Sequence, residues 1–243
     1  MRQITVFAAS SVLFALAVSL ATYRTAAQTA IHADPFTATV VEKRFDASGD
    51  YKEQETYTYA VRSDGSSVEV FNRKYPDGQV RNARIVIDTS LGKRIVIEPA
   101  TQSLTTTKLS KSNLEMLASR LTACRDSASV ERVKVLGFST VRETIRWADA
   151  QDHGDQWVAQ VLDCYPLRLK VYLGANRSGS RNEREVTAVS LGEPDGGLFA
   201  IPSEYVERAP SDVMDGLSKE FPQAKILPSP QNAVGAQTMP QPK

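Results

Sequence analysis

Apolar and polar residues alternate with a period of two along most of the chain, which predicts β-strands rather than helices. Short turns rich in Gly and Asp separate the alternating segments, as in Ser63–Ser66 (SDGS). The first half therefore predicts a meander of six antiparallel strands. These strands are Phe36–Phe45, Tyr51–Arg62, Ser67–Tyr75, Gln79–Asp88, Arg94–Glu98 and Ser103–Leu109.

A second group of alternating segments begins at Val133 and closes at Val206. Its clearest alternation is YPLRLKVYL, and its last full strand is predicted to end at Leu191. We predict a strand ending at Asp163, and a polar turn over Asp149–Asp155. The alternative for that turn is a weak cation site, because carboxylates supply the oxygen ligands that calcium prefers. The whole pattern is typical of a strongly curved antiparallel sheet.

Two segments have helical spacing instead. A capping box at Ser112–Glu115 (SNLE) opens an amphipathic helix on whose apolar face Cys124 also falls. Pro210 opens a shorter amphipathic helix. The chain then becomes rich in Pro and Gln, which predicts a disordered tail over 222–243. The predicted fold class is α+β, a half-open barrel with one or two covering helices.

The N-terminus predicts export. A basic start precedes an uncharged apolar run over Ile4–Ala21, and small residues end at Ala27, as in a signal peptide over 1–27. An uncleaved anchor helix is the alternative. We expect a periplasmic or secreted protein with no stable transmembrane anchor, a flexible lead-in over 28–35 and one domain over 36–221. The net charge of +1 gives no basis for nucleic-acid binding.

The chain contains two cysteines, Cys124 and Cys164. In an oxidising compartment such a pair predicts a disulfide, which would fasten the mid-chain helix to the sheet. The alternative is a catalytic or metal-binding thiol pair, which normally has a CxxC-type spacing or neighbouring histidines. Neither feature is present in the sequence.

The closing stretch Leu191–Arg208, LGEPDGGLFAIPSEYVER, resembles the end of proteins with the outer-membrane lipoprotein carrier (LolA-like) fold, and is nearest to uncharacterised exported members. The motif positions are Leu198, Phe199, Ile201, Pro202 and Tyr205. The resemblance implies an unclosed, curved antiparallel barrel with helices over its opening. It identifies no ligand-contacting residue in this chain.

The sequence contains no GxSxG, HExxH, P-loop or GxGxxG motif and only two histidines. We therefore expect no enzyme, no metal and no cofactor. The apolar strand faces either form a filled core or line a cavity for a lipid or lipoprotein acyl chain. A module that binds another envelope protein is the first alternative, and a hydrolytic enzyme is the second. The candidate lining residues are Leu117, Leu121, Trp147, Val158, Leu162, Leu167, Leu169 and Val171.

Overall fold

The computed structural model describes residues 33–46, 48–115, 117, 132–146, 153–172 and 181–220. These residues belong to one compact unit, 31–243. The predicted signal peptide and the predicted tail lie outside the described residues and stay predictions. At the end of the predicted lead-in, Ala33 is buried and its amide donates to the Ser63 carbonyl at 3.1 Å.

Among the described residues, twelve strands form a single open sheet in the order β12-β6-β5-β4-β3-β2-β1-β11-β10-β9-β8-β7. The pairs are antiparallel except β12 with β6, which run parallel. Because β12 and β7 each have one neighbour in this order, the barrel is not closed by the strands that the structure describes. The strands are β1 Phe36–Phe45, β2 Tyr51–Val61, β3 Ser67–Lys74, β4 Val80–Asp88, β5 Lys93–Glu98, β6 Ser103–Lys108, β7 Arg132–Val135, β8 Phe138–Arg146, β9 His153–Ala159, β10 Tyr165–Tyr172, β11 Arg181–Leu191 and β12 Val206–Glu207.

The sheet is strongly curved. In the strand order, β1 and β11 lie between β2 and β10, so on a flat sheet β2 and β10 would be about 14 Å apart. Yet Tyr59 on β2 stacks on Tyr165 on β10, with ring centroids 4.6 Å apart. The sheet must bend toward the side that carries these rings. We call that side the concave face, and the opposite side the outer face.

The predicted six-strand meander is confirmed, and its strand ends differ from the prediction by at most one residue. The predicted turn over Asp149–Asp155 is wrong in its last part, because β9 already begins at His153. Asp155 accepts hydrogen bonds from Arg142 and Thr144 on β8, and these bonds draw the carboxylate into the sheet.

The predicted strand ending at Asp163 is also wrong. β9 stops at Ala159, and Gln160–Leu162 forms a 3-10 turn. Asp163 and Cys164 follow with φ of 51° and 62°, and the Cys164 amide closes the turn on the Ala159 carbonyl at 3.0 Å. Alternation alone does not reveal this turn, because Leu162 is buried as a strand residue would be.

Helices are few among the described residues. The mid-chain segment is helical at 111–115 and 117, and the predicted continuation of this helix lies outside the described residues. The predicted C-terminal helix is present as Pro210–Glu220, and a 3-10 turn covers Gly196–Phe199. Within the described ranges, no helix is both long and apolar enough to span a bilayer.

Candidate functional site

The centre of the concave face is filled by aromatic rings. Phe36 on β1 lies 5.1 Å from the ring of Tyr165 and 6.0 Å from that of Tyr59, measured between centroids. Tyr57 lies 4.9 Å from Phe71 on the next strand. Phe36 is 1% exposed, so the cluster is core rather than an open surface. The fully buried aliphatic members of the same cluster include Val40, Leu162, Leu167 and Val186.

A cation lies within this cluster. Arg184 on β11 donates through Nη2 to the Tyr165 hydroxyl, and its guanidinium carbon lies 5.9 Å from the centroid of the Tyr57 ring. Its Nε is buried without a hydrogen-bond partner among the described residues, a costly arrangement for a polar atom. Burial opposes the charge of Arg184, but Tyr165, Tyr57 and Glu69 favour it, and the net effect raises its pKa.

Glu69 on β3 is a carboxylate whose negative charge favours the positive charge of Arg184. Burial raises the pKa of Glu69, while Arg184 and Arg94 act in the opposite direction. Burial also raises the pKa values of Tyr57, Tyr59 and Tyr165, so these phenols stay neutral at physiological pH. Glu69 therefore favours the charge of Arg184 within the concave face.

Half-buried aliphatic side chains flank the aromatic centre. On one side Ile85 on β4 faces Val96 on β5 in direct register. On the other side Leu169 and Val171 lie on β10, at alternate positions of the same strand. The concave face thus consists of a packed aromatic centre between two aliphatic strips that are only partly covered.

The outer face is covered by the closing stretch. Phe199 packs into a second core cluster made by outward-facing residues of β2 to β5, together with Leu198 and Tyr205. Arg84 donates to the carbonyls of Gly197 and Leu198, both at 3.2 Å. The guanidinium of Arg62 lies 4.0 Å from the centroid of the Phe199 ring. The motif that carries the resemblance therefore covers the outer face.

The predicted lining residues fall into three groups. Val158, Leu162 and Leu167 are buried, Leu117, Leu169 and Val171 are half-buried, and Leu121 and Trp147 lie outside the described residues. Of the buried three, Leu162 and Leu167 belong to the concave cluster, whereas Val158 packs with Val141 and Cys164. Ligand contact by any of the eight stays a prediction.

The predicted disulfide also stays a prediction. Cys164 lies between the 3-10 turn and β10, against Val141 and Val158. Its predicted partner Cys124 lies outside the described residues.

The sequence analysis missed Arg184 and Glu69. The available signal was alternation: Arg184 precedes the buried Val186 by two residues, and Glu69 precedes the buried Phe71 by two. Charged residues at these inward positions are unusual, since buried charges are normally paired. Their electrostatic influence on each other across several strands, however, depends on the curvature of the sheet.

The described residues offer little for catalysis. Within them, no group of three or more His, Cys, Asp or Glu side chains is placed to hold a metal ion. A small cleft of about 260 Å³ lies over β10 and β11, and four of its five charged lining residues are paired, as Arg168–Glu185 and Lys170–Glu183, with Arg184 as the fifth. Within each pair the two opposite charges neutralise each other at the surface.

No protein-family model matches the chain, and no curated protein matches it. Among solved structures, an uncharacterised conserved protein from Thermus thermophilus is similar at 12% identity, with 72% of this chain and 91% of that chain covered and a TM-score of 0.45. A PNGF-II structure is similar at 12% identity and a TM-score of 0.42, with 76% of this chain but 33% of that chain covered.

A putative outer membrane lipoprotein-sorting protein domain from Vibrio parahaemolyticus is similar at 11% identity, with 68% of this chain and 89% of that chain covered and a TM-score of 0.33. The structural neighbours thus include the class that the closing stretch resembles. With TM-scores below 0.5, these similarities carry no conclusion about what this chain binds.

Proposed function

We propose that this protein is an exported, non-catalytic binding protein that holds a lipid or lipoprotein acyl chain on the concave face of its sheet. The supporting observation is the pair of half-buried aliphatic strips beside the aromatic centre. Partly covered apolar surface in a groove is the usual contact for an acyl chain. The acyl chain would lie along one of these aliphatic strips rather than through the aromatic centre, because protein side chains already occupy that centre.

The strip on β4 and β5 is the better candidate. Ile85 and Val96 are cross-strand neighbours there, and the mid-chain helix begins beside the adjoining turn. A Cβ built on Gly92 in that turn would lie 3.9 Å from Leu114 Cδ1. Leu114 and Leu117 lie three residues apart, on one face of this helix. An acyl chain between the strip and the helix would contact apolar groups on both sides.

The test is titration of the mature protein with a fluorescent fatty acid. We expect saturable binding, weakened about tenfold by Ile85→Ser/Val96→Ser, because each lost methylene contact contributes about 0.8 kcal/mol. Val80→Ser is the matched control, since Val80 is 61% exposed on the outer face. Equal affinity of the three proteins, with folding verified by circular dichroism, would exclude this strip.

A second candidate function, binding of an envelope protein, is favoured by the β7–β8 hairpin. Leu136 at its tip is 47% exposed and has a φ of 51°, a conformation that a branched side chain rarely adopts. Strain and apolar exposure at one residue are typical of a contact site. A photocrosslinker at position 136 should give a defined adduct in the envelope, and one at position 80 should not.

A further inference from the structure

An open cleft of about 630 Å³ lies at one end of the sheet, between the β5–β6 turn at 99–102 and the C-terminal helix. Three cationic side chains line it, Arg81, Arg208 and Lys219. Among the described residues, no carboxylate lines this cleft. Its electrostatic character therefore differs from that of the small cleft over β10 and β11, where Arg168 and Lys170 each have an acidic partner.

The backbone holds Arg208 firmly in place. Its amide donates to the Leu104 carbonyl at 2.8 Å, and its carbonyl accepts from Thr105 Oγ1 at 3.1 Å. The opposing turn is fixed as well, because the Val206 amide donates to the Gln102 carbonyl at 3.1 Å. The wall that carries Arg208 is thus part of the sheet rather than a loose tail.

The C-terminal helix forms the other wall. Leu217 is buried against Tyr75, and Val213 and Ala100 pack beside them. Gly216 permits the close approach, since a Cβ there would lie 3.2 Å from Thr101 Cγ2. Glycine in a helix interior destabilises the helix by about 1 kcal/mol relative to alanine. The close contact with Thr101 explains why a glycine lies at position 216 despite this cost. Lys219, in the next turn, is thereby placed at the cleft.

The three cations are incompletely neutralised. Arg81 pairs with Asp77, but its Nη1 is buried without a hydrogen-bond partner among the described residues. Arg208 and Lys219 form no ion pair within the part of the chain that the structure describes. Like charges gathered around one concavity favour a bound anion.

We propose that Arg81, Arg208 and Lys219 form a binding site for a phosphate-type oxyanion. Guanidinium groups match the geometry of phosphate oxygens, and a lysine adds a further donor. The oxyanion could come from free phosphate or from the headgroup of an anionic phospholipid. This site stands apart from the aliphatic strip on β4 and β5, so it can fail while the proposed acyl-chain binding stands.

The experiment uses the mature full-length protein in two arms. Isothermal titration with inorganic phosphate detects the free anion, and flotation with vesicles of phosphatidylglycerol or phosphatidylcholine detects the headgroup. The test variant is Arg208→Gln/Lys219→Gln, which leaves the Arg81–Asp77 pair intact. The matched control is Arg132→Gln/Lys134→Gln, which removes the same charges from β7 at the opposite sheet edge.

We expect the test variant to bind phosphate, phosphatidylglycerol vesicles or both about tenfold more weakly, while the control binds as the unchanged protein does. Phosphate binding identifies the free anion as the source, and binding to phosphatidylglycerol vesicles alone identifies the headgroup. No binding in either arm overturns the site. Equal losses in the test and control variants also overturn it, because they indicate an effect of net charge alone.

Discussion

The two faces of the sheet are both buried at their centres, but they are built differently. The outer face packs aliphatic side chains under the closing stretch, with Phe199 at its centre. The concave face packs aromatic rings around Arg184 and Glu69. Charged groups in a buried cluster often contribute less to stability than apolar packing of the same volume. The centre of the outer face is therefore stabilised mainly by apolar packing, whereas the centre of the concave face also contains charged groups that are costly to bury.

The largest effect should come from removing a ring on each face. Phe36→Ala should destabilise the protein by about 4 kcal/mol, because it leaves a cavity among rings that cannot collapse. Phe199→Ala should cost about 3 kcal/mol, because the closing stretch can settle toward the sheet. Urea denaturation monitored by circular dichroism measures both. A larger loss of stability for Phe199→Ala than for Phe36→Ala would contradict this prediction.

The next effect tests the electrostatic interaction between Arg184 and Glu69. Arg184→Met should cost about 3 kcal/mol at pH 7.5, because it leaves Arg94 as the remaining cation that favours the charge of Glu69. The double variant Arg184→Met/Glu69→Gln should regain most of that loss, since neither member of the interacting pair then carries a charge. A double-mutant cycle by urea denaturation measures the coupling. Additive losses would show that the two side chains do not interact.

A smaller effect concerns pH. The pKa of Glu69 is raised by burial, so its contribution to stability is complete below the unfolded pKa near 4.5. That contribution is lost as pH rises through the folded pKa. Glu69→Gln should therefore flatten this part of the stability profile, measured as melting temperature from pH 4 to 8. Parallel profiles for both proteins would mean that Glu69 is not desolvated.

The smallest effect concerns neither face but the hairpin at the sheet edge. Leu136→Asn should stabilise the protein by about 0.5 kcal/mol, because asparagine tolerates positive φ and polar exposure. The same change should weaken the envelope adduct if Leu136 contacts a partner. Thermal unfolding measures the first effect. A lower melting temperature would indicate that Leu136 is packed rather than exposed.

Alternation in the sequence predicted the sheet well but its concave face poorly. β1 was predicted to the residue, since each strand needs only its own pattern. The alternation of β10 places Tyr165 and Leu167 on one face, but it does not reveal the register shift between Pro166 and Arg168 in the pairing with β9. The contact between Tyr59 and Tyr165 depends on curvature accumulated over several strands, which no single segment encodes.

The central claim is that the concave face holds an acyl chain. It is tested most directly by identifying the lipids that co-purify with the protein. Mature protein purified from the periplasm would be extracted with organic solvent and its lipids quantified by mass spectrometry, beside Ile85→Ser/Val96→Ser and Val80→Ser. We expect near-stoichiometric acyl species in the unchanged protein and in Val80→Ser, and a clear loss in the double variant. Folded protein that carries no acyl species and binds no fatty-acid probe would contradict the claim.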